Sequence, residues 1–390
     1  MRLYKMISTF SFPTRIVFGP GAIGHVRDAV RSLGMKHPLL VTDSGIVKSG
    51  LLERLTAPLN QAGVTWALFD SVEGNPTEAS VFPGVDIFQA ERCDGVIAMG
   101  GGSSLDVGKA IRLKTTHPLP LEEYDDLKNG ASLISAHLPP MVAIPTTSGT
   151  GSEVGRSTVI TLMSNARKTV IFSPHLIPSF AIEDPELTLR LPSHLTAATG
   201  MDAMTHNLEA YFSVGYHPMC DGIALRGVAL VNRHLRTAVH EGSNLVARTE
   251  MMAASMMGAV AFQKGLGTVH SLAHPLSTVA GLHHGLTNAI LLPHVMRFNM
   301  PAVLDRLVDL AAALGADIRS MAAHGAAEAA VAAIEKLNAD IGIPKRLGEV
   351  GVTAEMIPVM VPKAMEDGCH QCNPRPTKAQ DMEDLYRAAL

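Results

Sequence analysis

Residues 95–109 read Gly95-Val-Ile-Ala-Met-Gly-Gly-Gly-Ser-Ser-Leu-Asp-Val-Gly-Lys109, an apolar run that passes into three glycines and then into a helical pattern. A short apolar run that ends in glycine is typical of a buried parallel strand. Glycines that open a helix let main-chain amides approach a diphosphate, and the helix N-terminus adds positive potential. The stretch therefore predicts a strand, a phosphate-binding turn and a helix, with an ordinary tight turn as the alternative interpretation. A P-loop is excluded, because Ala110 stands where that motif needs Ser or Thr.

Similar apolar runs occur at residues 38–42, 65–69 and 141–145, with helical patterns at 51–62 and 77–92 between them. This alternation predicts an open α/β sheet of parallel strands. The run at 141–145 is followed by Thr-Thr-Ser-Gly-Thr-Gly-Ser-Glu, a second loop of glycines and hydroxyls at a strand end. Two such loops at one edge of a sheet predict a nucleotide crevice.

After residue 187 the pattern changes to long helices without a comparable strand. The predicted helices are 195–212, 220–239, 245–262, 304–314, 326–339 and 378–389. We therefore predict two domains, an α/β domain over residues 1–186 and an all-helical domain over residues 187–390.

The composition of the chain excludes several classes of protein. The chain has 390 residues, of which 47% are hydrophobic and 4% aromatic, and its formal net charge is −4. This balance argues against a partner among nucleic acids, because a binder of the phosphate backbone needs clustered Lys and Arg. The charge-free apolar stretch 251–262 is too short to span a bilayer and predicts a buried helix. The first residues show no signal-peptide pattern, so we expect a soluble cytoplasmic enzyme without membrane contact.

A Gly19-Pro-Gly21-Ala-Ile-Gly24 segment follows a predicted strand at residues 14–18 and satisfies the G-x-G-x-x-G pattern, but Pro20 removes an amide that a phosphate cradle could use. We interpret this segment as a structural turn. Asp43 follows the run 38–42, where a carboxylate can accept hydrogen bonds from an adenosine ribose and repel a 2′-phosphate. Asp43 therefore favours NAD over NADP, although an Asx-turn cap would also explain it.

Ten of the 17 histidines fall between His194 and His294. Asp202 and His206 are four residues apart, so they share one face of a helix. They are followed by His270-Ser-Leu-Ala-His274 and by His283-His284. A carboxylate with several imidazoles is a ligand set that divalent metals prefer, but spacing alone does not choose among the later histidines.

Taken together, these segments resemble the iron-containing (group III) alcohol dehydrogenases over essentially the whole chain. The matching segments are Phe18–Gly21, Gly74–Thr77, Gly100–Asp106, Pro145–Glu153, Gly200–His206, His270–Leu276, His283–Gly285 and Asn373–Arg375. The resemblance implies a parallel-sheet dinucleotide-binding domain and a helical metal-binding domain, an architecture like that of dehydroquinate synthase. It also implies NAD as the cofactor and Fe²⁺ as the metal, with Zn²⁺ as an alternative because imidazole suits both.

The resemblance also assigns residues. The metal ligands that it implies are Asp202, His206, His270 and His284, and His274 becomes a nearby residue that handles a proton. The cofactor-binding residues that it implies, besides Asp43, are Asn75, Gly101, Gly102, Ser103, Asp106, Thr146, Thr147 and Lys168. The expected reaction is reversible hydride transfer between a small alcohol and NAD, by a homodimer or a higher homo-oligomer.

The substrate is less determined, because Lys264 and its neighbours depart from the pattern of the family. A cation six residues before His270 could bind the carboxylate of a short hydroxy acid, as in the 4-hydroxybutyrate dehydrogenase branch. The alternative is a lysine that points to solvent or to the cofactor. We expect the loop Cys369-His-Gln-Cys372 to close over the site and contribute His370 to its wall. A metal-dependent hydrolase or lyase would explain the histidines but would leave both glycine-rich loops without a use.

Overall fold

The computed structural model describes residues 10–12, 14–164 and 166–390. The described residues form two compact units. The α/β unit contains residues 14–147 and 151–189, and the helical unit contains residues 10–12, 148–150 and 190–390. The chain therefore enters the helical unit at residue 190, where the sequence predicted a boundary at 187. The loop of glycines and hydroxyls at residues 146–153 is called the hydroxyl loop here. Three of its residues, 148–150, belong to the helical unit.

The α/β unit is built on a six-stranded sheet in which each neighbouring pair of strands is parallel. The strands are β1 (Arg15–Phe18), β2 (Leu39–Val41), β3 (Ala67–Phe69), β4 (Val96–Gly100), β5 (Met141–Pro145) and β8 (Phe180–Glu183), in the order β1-β8-β5-β4-β2-β3. Every residue of the central strands β4 and β5 is buried. The four apolar runs that predicted parallel strands are thus confirmed.

The register of the central strands decides where the two glycine-rich loops lie. Gly100 of β4 is paired with Pro145 of β5. The amide of Thr146 donates a hydrogen bond of 2.9 Å to the carbonyl of Gly100. The loops that follow β4 and β5 therefore start side by side, as the sequence predicted.

Three further strands were not predicted. Besides β8, an antiparallel hairpin consists of β6 (Ser157–Thr161) and β7 (Lys168–Phe172). The hairpin strands alternate buried and half-buried residues, which is the period of a strand with one face covered. In β8 the acidic Glu183 ends the strand and is itself buried, so an apolar run of only three residues remains in the sequence.

The helices of the α/β unit follow the strands that they connect. They are α1 (Val26–Ser32), α2 (Ser44–Lys48), α3 (Leu51–Gln61), α4 (Phe82–Ala90) and α5 (Gly102–Lys114). Side chains on opposite faces of one strand enter different hydrophobic cores, since Leu39 and Val41 belong to one cluster and Leu40 to another. Both faces of the sheet are therefore covered, which explains why its strands read as continuous apolar runs.

In the described part of the chain after residue 187 the regular elements are helices. They are α6 (Ser193–Phe212), α7 (Pro218–His240), α8 (Leu245–Ala261), α9 (Thr268–Val279), α10 (His284–Asn299), α11 (Leu304–Ala313), α12 (Ala323–Asp340), α13 (Ile357–Glu366) and α14 (Ala379–Ala389). They enclose one hydrophobic cluster. The helical prediction for this half is therefore confirmed.

One helix among the described residues, 245–264, is long and apolar enough to cross a membrane by length and composition. It comprises α8 and the turn of 3-10 helix after it, and α8 packs against α6 and α7. Half of its most apolar window is buried inside the protein. This packing is that of a core helix, as the sequence predicted for the stretch 251–262.

Candidate metal and dinucleotide sites

Helix α6 presents Asp202, His206 and Glu209 on one face, because these residues are four and three positions apart. Helix α9 contributes His270 and His274, and α10 begins at His284. The ligand atoms of Asp202, His206 and His270 all lie within 4.8 Å of one another. Three helices thus bring together residues that are far apart in the sequence.

The outer ring nitrogens of two histidines are fixed by acceptors. Nδ1 of His206 lies 3.2 Å from the carbonyl of Gly149, and Nδ1 of His270 lies 2.5 Å from Oε2 of Glu209. Both Nδ1 atoms therefore carry the proton, and both Nε2 atoms keep a lone pair. Such a partner on the far nitrogen orients a metal-binding imidazole and raises its basicity.

The Nε2 atoms of the histidines lie close to one oxygen of the Asp202 carboxylate. Its Oδ1 lies 3.9 Å from Nε2 of His206 and 3.6 Å from Nε2 of His284. The amide Nδ2 of Asn288 lies 2.8 Å from the same Oδ1, 3.1 Å from Nε2 of His284 and 3.5 Å from Nε2 of His270. The two N–H donors of this amide thus face three acceptors, and one carboxylate with three imidazoles is the ligand set that Fe²⁺ or Zn²⁺ accepts. The residues therefore fit a divalent metal.

The pKa values of two of these histidines shift in opposite directions. Burial lowers the pKa of His206, which keeps this ring neutral and able to bind a metal. Burial acts on His270 in the same direction, but the negative charges of Glu209 and Asp202 outweigh it and raise the pKa. The Glu209 carboxylate therefore makes His270 the more basic of the two rings.

His274 belongs to a second acid–imidazole pair. Its Nδ1 lies 2.7 Å from Oδ2 of Asp367, while Oδ1 of Asp367 accepts hydrogen bonds from Ser271 Oγ and the amide of Cys369. Burial would raise the pKa of Asp367, but His274 and these donors hold it well below its usual range. The ring of His274 stacks on that of His284 with centroids 5.1 Å apart. The structure thus brings His274 beside the four predicted ligands.

The exposed His283 occupies the N-cap position of α10, without a capping hydrogen bond from its side chain. His370 lies in the 3-10 turn Gly368–Cys372, where its amide donates to Ser271 Oγ and its Nδ1 donates to the carbonyl of Asp367. The turn is therefore fastened to α9 through Ser271 and Asp367.

The glycine-rich turn of the α/β unit has no room for a side chain at its first glycine. Gly100 has φ +151°, and a Cβ there would lie 2.4 Å from Oγ of Ser104. Gly101 is the N-cap of α5, so Gly102 and Ser103 occupy its first turn. A Cβ on Gly101 would lie 3.5 Å from Thr147 of the neighbouring loop. Main-chain amides at a helix N-terminus are thus exposed to a ligand, as an anion-binding turn requires.

Asp43 forms the Asx-turn that the sequence offered as an alternative to a ribose contact. Its Oδ1 accepts hydrogen bonds from the amides of Gly45 and Ile46 and caps α2. Its Oδ2 lies 3.3 Å from Oγ of Ser104, at the glycine-rich turn. The Asx-turn is therefore present, and the second oxygen still faces the candidate phosphate site.

Asn75 and Lys168 are brought near one another by the β6–β7 hairpin. Asn75 has φ +55°, and the amide of Thr161 donates to the carbonyl of the adjacent Pro76. Thr161 is in turn paired with Lys168 at the start of β7. These two predicted cofactor residues thus lie at the same end of the hairpin.

The segment 19–24 is a structural turn, as predicted. The amides of Gly21 and Ile23 donate to the carboxylate of Asp184, and the amide of Gly24 donates to the carbonyl of Gly21. The donors that a diphosphate would need are therefore used within the protein.

The contacts of Lys264 contradict the prediction that it binds a substrate carboxylate. Its side chain is fully buried, and its Nζ lies 2.5 Å from Oδ1 of Asp221 and 3.0 Å from the carbonyl of Tyr211. Arg306 pairs with the other oxygen of Asp221. The cation is thus neither available to a substrate carboxylate nor pointed to solvent, because burial of an ammonium group requires its own counter-charge.

Three residues of the site were missed by the sequence analysis. Glu209 lies on the same helical face as Asp202 and His206, so its spacing was a usable signal. Asn288 follows His284 by four residues, which is also a helical spacing. Asp367 stands 93 residues from its partner His274, and nothing in its local sequence indicates that contact.

Comparison with known proteins agrees with this geometry. The family model of iron-containing alcohol dehydrogenase matches residues 13–185, and the C-terminal model of the Fe-containing alcohol dehydrogenase family matches residues 196–390. The chain is 41% identical to 1,3-propanediol dehydrogenase of Klebsiella pneumoniae, covering 99% of this chain and 100% of that one. It is 40% identical to 4-hydroxybutyrate dehydrogenase of Cupriavidus necator, covering 97% and 98%.

Solved structures agree with the fold. A crystal structure of 1,3-propanediol oxidoreductase is similar with a TM-score of 0.95 and 41% identity, covering 98% of this chain and 100% of that chain. Sulfoacetaldehyde reductase from Bifidobacterium kashiwanohense, solved in complex with NAD⁺, has a TM-score of 0.88 and 30% identity, covering 98% and 99%. The chain belongs to the iron-containing alcohol dehydrogenase family. It is an oxidoreductase that catalyses NAD-linked interconversion of alcohols and carbonyl compounds.

Proposed function

We propose that this protein transfers hydride between a small alcohol and NAD at a divalent metal held by Asp202, His206, His270 and His284. The observation that carries the proposal is the convergence of three acceptors on the amide of Asn288. The amide has only two N–H donors for these three acceptors, whereas a divalent cation can bind all of them, so the arrangement favours a bound metal ion. Iron is the preferred metal by family, and zinc is the alternative.

The residues around the ligands prepare the site. Glu209 and the carbonyl of Gly149 hold two imidazoles with Nε2 inward. A bound divalent metal polarises the oxygen of an alcohol and lowers the pKa of its hydroxyl group. His274, oriented by Asp367, stands beside His284 and can accept or return the hydroxyl proton.

The α/β unit would bind the dinucleotide. The amides of Gly101, Gly102 and Ser103 at the start of α5 offer donors for the diphosphate, and Thr146 and Thr147 lie in the neighbouring loop. The Asp43 carboxylate would oppose a 2′-phosphate, so NAD is favoured over NADP. Asn75 and Lys168, at the end of the hairpin, are proposed to contact the same cofactor.

The substrate is proposed to be a small alcohol or diol. The relatives named above act on a diol and on a hydroxy acid at nearly equal identity, so similarity does not choose between them. The pairing of Lys264 with Asp221 removes the residue that favoured a hydroxy acid. His370 remains a predicted wall residue. A homo-oligomeric state and a cytoplasmic location also stay predictions, which light scattering and cell fractionation would test.

The decisive experiment combines metal analysis with NAD reduction. Purified protein should contain about one equivalent of divalent metal and should reduce NAD with members of a panel of alcohols, diols and hydroxy acids. Chelation should abolish turnover, and Fe²⁺ under reductant should restore it. Undiminished NAD reduction by protein that has been stripped of metal would contradict the proposal.

A further inference from the structure

Lys109 of α5 is completely buried and is not exposed to any ligand. Its ammonium group is surrounded by four oxygens, which are the carbonyls of Ser152, Gly155 and Ser157 at 2.7, 3.1 and 2.7 Å and Oγ of Ser152 at 2.9 Å. Three of the four are main-chain carbonyls of one short segment. This arrangement of neutral oxygens around a single positive charge is the coordination that a monovalent cation takes, and we call it the Lys109 cage.

The ammonium group of the Lys109 cage holds together the segment 152–157, which runs from the end of the hydroxyl loop into β6. Carbonyls that point inward at one place need a donor, because each buried carbonyl without one destabilises the fold. Asp106, one turn earlier on α5, accepts hydrogen bonds from Ser152 Oγ within this segment at 2.6 Å and from the amide of Val159, in β6 just beyond it, at 3.1 Å. Asp106 and Lys109 therefore act together on both sides of the segment.

These contacts give Asp106 and Lys109 a structural role that the motif alone did not indicate. Both carboxylate oxygens of Asp106 are used within the protein, as is the Lys109 ammonium group. The same helix α5 carries the glycine-rich turn at its first residues. The contacts of Asp106 and Lys109 thus fix the segment 152–157 relative to the amides that are proposed to bind the diphosphate.

The cage lies among acidic groups. Glu153 and Glu183 are buried near it, Asp106 is half-buried, and Glu153 shares a hydrogen bond with Glu183. Arg112 is the other cation of α5 that acts on Lys109. Burial lowers the pKa of Lys109 to about 8, against the attraction of Asp106 and Glu153. The ammonium form therefore predominates at pH 7.

We propose that Lys109 is a positioning residue of the dinucleotide site, which acts as a built-in cation holding the segment 152–157 on α5. The proposal rests on the proposed function only for the identity of the cofactor. Its specific consequence is that a cation from solution can replace the side chain. Shortening Lys109 to alanine removes three methylene groups and the ammonium group, which together have the shape of propylammonium.

The test compares Lys109→Ala with Lys109→Met by equilibrium binding of NAD and by thermal unfolding. Loss of the charge-assisted hydrogen bonds should weaken NAD binding by about 10- to 100-fold in both variants. Propylammonium should strengthen NAD binding and raise the unfolding temperature of Lys109→Ala alone, because methionine fills the cavity. Tetramethylammonium has no N–H donor, so at equal ionic strength it should have no effect.

Two outcomes would overturn the proposal. One is NAD binding by Lys109→Ala equal to that of the wild type, and the other is an equal response of both variants to propylammonium. If Lys109→Ala does not fold, Ser152→Ala removes one oxygen of the cage and should weaken NAD binding by about threefold to tenfold; unchanged binding would count against the cage. Wild-type protein that does not bind NAD would contradict the proposed function instead, whereas the effect of propylammonium on unfolding needs no NAD.

Discussion

In the α/β unit the groups proposed to hold the diphosphate are main-chain amides at the start of α5, whereas in the helical unit every proposed ligand atom belongs to a side chain on a helix. A main-chain site survives most substitutions and fails only where a new Cβ has no room. A side-chain site fails as soon as one ligand is removed. The two regions should therefore differ in which substitutions damage them, and they should fail independently.

The largest effect is expected from His206→Ala in the helical unit. The change removes one of four ligands and leaves the donor set incomplete, so metal content should fall to near zero and turnover by about 1,000-fold or more. NAD binding should stay within about twofold of the wild type, because the glycine-rich turn is unchanged. Metal analysis and equilibrium binding of NAD measure the two effects separately. Simultaneous loss of NAD binding would show that the two regions are not independent.

A smaller loss is expected from Glu209→Gln, which keeps the shape of the side chain but removes the charge beside His270. Loss of such a partner typically costs about 10- to 100-fold in metal affinity. Competition with a chelator measures this change directly. Ser271→Ala is the matched control, since Ser271 is a hydrogen-bonding neighbour of Asp367 and does not contact a proposed ligand ring. Equal metal affinity of Glu209→Gln and the wild type would refute the role of the carboxylate.

In the α/β unit, Gly100→Ala should weaken NAD binding by about tenfold and lower the unfolding temperature, because the new Cβ overlaps Ser104. Gly24→Ala is a stringent control, since no atom lies within 4 Å of a Cβ there and the turn is structural. The metal content of both variants should equal that of the wild type. A larger loss of NAD affinity in Gly24→Ala than in Gly100→Ala would return the G-x-G-x-x-G segment to the cofactor site.

Asp43→Ser is expected to change selectivity rather than activity. Serine keeps the cap on α2 and removes the charge that opposes a 2′-phosphate. The ratio of kcat/KM for NAD to that for NADP should fall by about tenfold, with little change in unfolding temperature. A constant ratio would leave Asp43 with the cap as its only function.

The smallest expected effect is a pH dependence of stability, which arises from the different ways in which the two regions bury acidic side chains. In the helical unit Glu209 and Asp367 are paired with imidazoles, whereas Glu183 is buried against another carboxyl, Glu153. Burial and the charge of Glu153 raise the pKa of Glu183 well above its usual value. The folded state therefore holds a proton that the unfolded state releases above about pH 4.3, so this group lowers stability as the pH rises from there towards the folded pKa.

Glu183→Gln mimics the protonated form and should remove this loss. Its unfolding free energy relative to the wild type should increase between pH 5 and pH 7, by up to about 1.4 kcal/mol for each pH unit over which the folded state retains the proton. Unfolding curves of both proteins at several pH values give the comparison. A difference that does not vary with pH would mean that Glu183 is ionised in the folded protein.

Much of the fold could be predicted from local patterns. The apolar runs predicted four of the parallel strands, and the helical spacing predicted six helices of the second unit to within about three residues at each end. The hairpin and β8 were missed because β6 and β7 are only half apolar and β8 ends in a buried glutamate. That glutamate is buried beside another carboxyl group, Glu153, and no local pattern reveals this contact.

The sequence by itself also determined the chemistry that is available, since the glycines, the aspartates and the histidines that the sites use are visible as residue types and spacings. Only the tertiary structure decided their partners. Glu209 meets His270 across 61 residues, Asp221 meets Lys264 across 43, and Ser152 meets Lys109 across 43. A buried charge must find an opposite charge or a set of oxygens wherever the packing of helices and strands places one, and that packing depends on contacts between distant parts of the chain. For this reason Lys264 belongs to an ion pair rather than to a substrate site, and Lys109 to a cage rather than to a phosphate.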